Sequence, residues 1–391
     1  MRISRRGQVE PFYAMELLKL ANQKRAATGM DVISLCLGQP ADGAPAVVRQ
    51  AAVEALSSGA ALGYTDANGV PSLREAIAGH YQDVYGVEVD PGRILVTTGS
   101  SAAFTAVMLA AFEAGDTVAM TRPGYPAYRN VLGSLGCRVV ELDCGPDTRF
   151  QPTVAMLDAL PTPPAGLIVA SPSNPTGTII EPDRLAELAA WCSANDTLLL
   201  SDEIYHGITF GKPCASVLQS SNDHVAVGSF SKYYCMTGWR VGWLAVPEAL
   251  ARPIELLLGN LNLSTPTLSQ LAAVAALSPE ASAELDAHVV KYRDNLDLVL
   301  SRLPEIGVRQ TVIPDGAFYV YPEISHLTDD SKQWALRALD EIGVVVTPGI
   351  DFAPVRPGPA SPTDGSRYVR ISTAGSGEQI SEAFDRLARW I

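Results

Sequence analysis

At 391 residues the chain is long enough for roughly two to three domains and for a large buried core. Hydrophobic residues make up 47% and charged residues 18%, an ordinary globular balance, and no apolar run approaches the ~18 residues of a membrane span. A net charge of −13 and a pI near 4.9 argue against nucleic acid and anionic membrane surfaces, but leave small anions within reach of a few local arginines.

The N-terminal stretch "MRISRRGQVEPFYAMELLKLANQ" begins basic but lacks an apolar h-region and a small-residue cleavage site. It is expected to be part of the mature, cytoplasmic chain. From about Gly92 strand-like and helix-like stretches alternate. Strands are expected at 93–98, 116–121, 138–143, 166–172, 197–203, 224–231 and 241–247. Strands that are apolar throughout and spaced by helices imply an α/β fold, a mostly parallel seven-stranded sheet covered on both faces. A helical region follows, from about Ser264 to Leu303, broken near "LSPEAS". Beyond it "AFYVYPEI", "GVVVTPGI" and "RYVRIST" read as short strands, with helices at 332–342 and 376–391. The expected organisation is a large domain over 46–289 and a smaller α+β domain made of 1–45 and 290–391. The proline- and glycine-rich stretch 356–366 reads as a loop. The six cysteines form no CxxC pair and are expected to be reduced core thiols; the histidines form no metal-spaced cluster.

In a doubly wound sheet, ligands collect at the carboxyl ends of the strands. Gly99-Ser100-Ser101 follows one strand and opens a helix, an arrangement suited to a phosphate. Asn174 lies on a turn after the next-but-two strand. Asp202 ends another, with Tyr205 close behind, and Lys232 follows the strand after that. Singly, each has an ordinary explanation: a solvated lysine, a helix cap, a turn residue. Together they bring an amine, a carboxylate, a phenol, an amide and a phosphate cradle to one edge. A lysine amine can form a Schiff base with an aldehyde, and pyridoxal phosphate needs such a lysine with an acid beside its ring nitrogen.

The chain resembles the class I (aspartate aminotransferase-like) branch of fold-type I pyridoxal-phosphate enzymes, over essentially its whole length and with the motifs in family order. In "SFSKYYCMTGWRVG" the resemblance makes Lys232 the Schiff-base lysine, with Ser229, Arg240 and Ser231 at the phosphate. In "SDEIYHG" it implies Asp202 at the pyridine nitrogen and Tyr205 at the ring hydroxyl. "SPSNPTG" places Asn174 at that hydroxyl and near the substrate carboxylate, and "GSSAAF" places Ser100 and Ser101 at the phosphate. Tyr125 would stack on the ring. Tyr64 would reach the phosphate of a partner subunit, which implies a homodimer with shared active sites. Arg370, in "YVRIS", would clamp the substrate α-carboxylate, with the Gly38 backbone beside it. His206 is expected to be a structural neighbour.

The implied reaction is a ping-pong transfer of an amino group from an amino acid to a 2-oxo acid. Dicarboxylate-specific relatives carry a second cation for the side chain. The corresponding regions here are "GNLNLSTPTLSQ", which has no basic residue, and Ser101. An unpaired buried carboxylate is costly, so a neutral, aliphatic donor such as valine or alanine is expected, with pyruvate or 2-oxoglutarate as acceptor. Arg25, Arg129 and Arg356 are the cations that could reverse this, and Phe12 and Tyr13 are candidate apolar walls. The alternatives are an aspartate/2-oxoglutarate aminotransferase, a pyridoxal-phosphate-dependent lyase on the same fold, a non-catalytic regulator and a nucleotide-binding α/β protein. The last lacks G-x-G-x-x-G after a strand and any P-loop.

Overall fold

A computed structural model of the chain describes residues 2–357 and 361–391. Positions 358–360, inside the loop at 356–366, lie outside the described residues. In chain order the first strand is β1 (Ile33–Ser34). Then come β2 (Ile94–Thr97), β3 (Thr117–Arg122), β4 (Arg138–Asp143), β5 (Gly166–Ala170), β6 (Leu198–Asp202), β7 (Val225–Ser229) and β8 (Gly242–Ala245). The C-terminal part adds β9 (Tyr319–Val320), β10 (Val344–Val345), β11 (Thr347–Pro348) and β12 (Val369–Ser372).

The seven strands expected from sequence form one sheet, in the order β2-β8-β7-β6-β5-β3-β4. Only β8 runs antiparallel to its neighbours. Alternation along each strand divides the apolar side chains between two cores. Leu95, Ile168, Leu200, Val227 and Leu244 face one, with Ile254 and Leu258 of the helix Glu248–Leu261. Ile94, Val96, Leu167, Leu199, Ala226 and Trp243 face the other, with Leu185 and Leu188 of the helix Pro182–Ala194. The inner strands are buried on both faces, as near-continuous apolar runs require. The edge strand β4 instead exposes Arg138 and Asp143 at its ends.

The second region has its own core. Leu17, Ala21, Val32 and Ile33 of the N-terminal segment pack with Leu296, Val299, Val344, Val345, Ile380 and Phe384. The stretch "GVVVTPGI", expected as one strand, is two. β10 pairs parallel with β1, whereas β11 pairs antiparallel with β12. Pro348 has no N–H to give a ladder and sits on the edge strand of the order β11-β12-β9, where none is required. The expected helical region contains Thr267–Ala276 and Pro279–Arg302, broken between them. The helices near the C-terminus run Ser331–Ile342 and Gly377–Trp390. All six cysteines are unpaired, and only Cys214 is not fully buried.

Candidate active site

Because β2, β3, β5, β6 and β7 run parallel, the segments after them emerge at one edge, and the second region closes over it. The result is a cavity of about 530 Å³. Of the residues singled out in sequence, Gly38, Ser100, Ser101, Tyr125, Asn174, Asp202, Tyr205, Ser231, Lys232, Arg240 and Arg370 line it. Ser229 and Tyr64 do not. Ser229 is buried behind the lysine loop, its hydroxyl accepting from the Ser231 N–H at 3.1 Å. Tyr64 is 84% exposed.

Lys232 follows β7, and its Nζ donates to the Gly38 carbonyl at 2.5 Å and lies 5.8 Å from the Tyr205 ring centroid. Burial pulls its ammonium down to about 8; the Arg370 and Arg240 charges act in the same direction and Asp202 opposes them. Asp202, at the end of β6, is only 4% exposed and has no lysine or arginine bonded to it. Its Oδ1 accepts from the Ile204 N–H at 3.1 Å and its Oδ2 from the Tyr128 hydroxyl. Burial pushes this carboxyl up to about 6 despite both donors. The Lys232 charge also acts to lower it, but no cation is bonded to it among the described residues, and a buried acid so placed suits a protonated ring nitrogen, the group a pyridine cofactor would bring.

At the far side of the cavity the helix Gly99–Ala111 begins with Gly99 at φ +73°. A Cβ there would meet the Arg240 guanidinium at 2.4 Å, so glycine lets that cation lie against the helix N-terminus. Backbone N–H groups, the hydroxyls of Ser100 and Ser101, and a guanidinium make a donor set for a phosphate. The amine, the acid and the phosphate cradle therefore fit pyridoxal phosphate in chemistry.

Arg370, on β12, is 2% exposed. It donates to Asn174 Oδ1 at 2.8 Å, the Cys36 carbonyl at 2.5 Å and Thr347 Oγ1 at 3.2 Å, while its Nε has no partner. Its guanidinium packs on the rings of Tyr319 and Phe352, 4.4 and 4.9 Å from their centroids. Tyr125 meets Tyr128 edge-on at 5.3 Å and Phe12 at 5.7 Å. Phe12 lines the cavity; Tyr13 instead carries the Lys332 ammonium over its ring at 4.6 Å.

Tyr128 and Tyr319 line the cavity and were not singled out in sequence. Tyr128 carried a signal, three residues after Tyr125 on the same helix, Pro126–Leu135, whose N-cap is Tyr125. Neither of the two tyrosines after Lys232 lines the cavity. Tyr233 donates to Asp286 at 2.7 Å and Tyr234 packs on Phe230 at 4.9 Å. His206 meets the Tyr85 hydroxyl at 2.6 Å outside this cavity, and burial pulls its imidazole down to about 3.

A family model described as aminotransferase class I and II matches residues 30–387. The valine–pyruvate aminotransferase of Mycobacterium tuberculosis is 48% identical over 100% of this chain and 98% of its own length. The crystal structure of an aminotransferase from Mycobacterium tuberculosis superposes with a TM-score of 0.95 at 48% identity, covering 100% of this chain and 99% of that one. The aspartate aminotransferase of Thermus thermophilus with maleate gives 0.93 at 32% identity, covering 100% of both chains. A cleft with a lysine and a buried acid at the strand ends of an α/β sheet and a buried arginine facing it thus has its likenesses among enzymes of amino-group transfer, and the chain belongs to the class I and II aminotransferase family.

Proposed function

We propose that this aminotransferase moves the amino group of a neutral aliphatic amino acid, valine foremost, to pyruvate, with 2-oxoglutarate as the alternative acceptor. Pyridoxal 5′-phosphate, when bound, supplies the aldehyde that takes and returns the amino group and a ring that draws electrons from the substrate's α-carbon. Lys232 would be the amine that holds the cofactor and the base that moves the substrate's α-proton. Asp202 holds the ring nitrogen protonated. Tyr205 and Asn174 donate to the ring oxygen, and Tyr125 stacks on the ring. Ser100, Ser101 and Arg240 hold the phosphate, with Ser231 and Ser229 shaping the loop behind them. Arg370 takes the substrate carboxylate through its fork of donors, beside the Gly38 backbone. The proposed assembly is a cytoplasmic homodimer in which exposed Tyr64 reaches the partner's phosphate site; free thiols suit that reducing compartment. The large domain spans 46–289, and 1–45 with 290–391 forms the small one.

The observation that carries the substrate class is the inventory of charge. Lys232, Arg240 and Arg370 are the cations lining the cavity, and each has a task. Arg25 is bonded to the Val32 carbonyl, Arg129 to the Asp351 carbonyl, and Arg356 to Asp143 and Glu141. No described lining cation remains for a side-chain carboxylate, and burying one unpaired costs several kcal/mol. The name of the 48% identical relative supports the same substrate. The test is a donor screen on the loaded enzyme with both acceptors. Valine and alanine are expected to exceed aspartate and glutamate by about a hundred-fold in kcat/KM. Equal or faster turnover of aspartate would sink the proposal.

A further inference from the structure

Tyr319 stands where the two halves of the site meet. Its hydroxyl lies 2.6 Å from that of Tyr205, and its ring carries the Arg370 guanidinium at 4.4 Å. It is 1% exposed and lines the cavity. Two features fix it there. β9 pairs with β12 so that Tyr319 opposes Ser372, which shares a strand face with Arg370. And Gly38 makes room for it: a Cβ on that residue would fall 1.8 Å from the Tyr319 hydroxyl. The segment whose carbonyl receives the Lys232 ammonium is therefore shaped around this phenol.

We propose that Tyr319 is a positioning residue that couples occupancy of the Arg370 carboxylate clamp to the strength with which Tyr205 holds the cofactor's ring oxygen. This rests on the functional assignment above. Tyr205 has a single O–H. Once that is donated to the ring oxygen, its lone pairs accept from Tyr319, and each bond in such a chain strengthens the next. Burial raises the Tyr319 phenol, and the Arg370 charge opposes the rise, which makes Tyr319 the better donor. A substrate carboxylate on Arg370 neutralises that charge. Tyr319 then donates less strongly, Tyr205 follows, and the ring oxygen becomes more basic. Asn174, also bonded to Arg370, gives a parallel link. Phe352 packs on the same guanidinium at 4.9 Å but has no hydroxyl to relay anything. Asp202, Lys232, Tyr125, Tyr128 and Arg370 are the titratable and charged groups around the phenol pair among the described residues.

The test uses the loaded enzyme and 3-methylbutanoate, the valine skeleton without its amine, which binds but does not react. Two quantities are read: its Kd, and the pH midpoint of the bound cofactor's visible band with and without it. Y319F is expected to raise the ligand-free midpoint by roughly 0.5–1 pH unit, the worth of one ordinary hydrogen bond. It should also shrink the further rise that 3-methylbutanoate causes. F352L is expected to weaken 3-methylbutanoate binding and leave the midpoint where it was, the result that mere packing on Arg370 would give for Y319F too. In a Y205F background Y319F should add nothing. Incorporating 3-fluorotyrosine at Tyr319, which keeps the shape and strengthens the donor, should move the midpoint down and does not depend on Y319F folding. A band whose midpoint and ligand response Y319F leaves unmoved, or a shift that persists without Tyr205, overturns the coupling alone. A wild-type protein that takes up pyridoxal phosphate without any visible band overturns the functional assignment together with it.

Discussion

The two walls of the cavity treat charge in opposite ways. On the sheet side, Lys232 is pulled toward neutrality by burial and Asp202 toward its protonated form, and Asp202 has no lysine or arginine bonded to it. On the other side, Arg370 is as deeply buried, yet its hydrogen bonds go to neutral acceptors, the Asn174 amide, the Cys36 carbonyl and the Thr347 hydroxyl, and it packs on two aromatic rings. Neutral acceptors solvate a guanidinium without cancelling its charge, so it remains oriented for an incoming carboxylate. Lys232, which on the proposed assignment must exchange a bond and a proton, is left with the Gly38 carbonyl as its hydrogen-bond partner among the described residues. A group that only binds is solvated in advance.

This contrast is strongest if the walls can be disabled separately. Lys232→Ala is expected to produce the largest loss, about ten-thousand-fold or more in turnover, because on the proposed assignment one residue both attaches the cofactor and moves the proton. The bound cofactor's spectrum should become that of the free aldehyde, while 3-methylbutanoate still binds within a few-fold of the wild type. Arg370→Lys should do the reverse. It keeps the charge but loses the planar fork, so kcat/KM for valine and affinity for 3-methylbutanoate should fall roughly a hundred-fold. The visible band should persist. Should Lys232→Ala abolish carboxylate binding as well, the walls form one unit and the contrast fails.

The walls also differed in how far sequence revealed them. The sheet wall is built from local motifs: each residue lies a few positions beyond an apolar strand, so pattern and order located it. Asn174, Asp202 and Lys232 needed no knowledge of long-range packing. The opposite wall rests on strands of two to four residues, too short for periodicity to register. Tyr319 is one apolar-looking residue in "AFYVYPEI", and its role depends on facing Tyr205, 114 positions away in sequence. The division of "GVVVTPGI" between two sheets was hidden for the same reason. The helix Glu248–Leu261 was not among the expected elements, and Pro253 inside it obscures the pattern. Arg370 could be placed by its motif, but its aromatic neighbours Tyr319 and Phe352 could not.

A smaller effect sharpens the sheet side. The Asp202 carboxyl, at about 6, is ionised above that pH and neutral below it. Tyr128 and the Ile204 N–H both donate to it and so favour the ionised form, against burial. Tyr128→Phe removes the stronger-placed donor, and the carboxyl should move up by roughly one further pH unit. On the proposed assignment an ionised Asp202 pairs with a protonated ring nitrogen, so the affinity of the apoprotein for pyridoxal phosphate should fall as pH drops through this titration. The phosphate of the free cofactor also titrates near 6, but equally for both proteins, so the difference between their curves isolates Asp202. The acid limb of Tyr128→Phe is expected about one unit higher than that of the wild type, with the two curves converging near pH 8. Curves that superimpose throughout would mean that Tyr128 packs against Asp202 without setting its charge, and that burial alone keeps this acid poised.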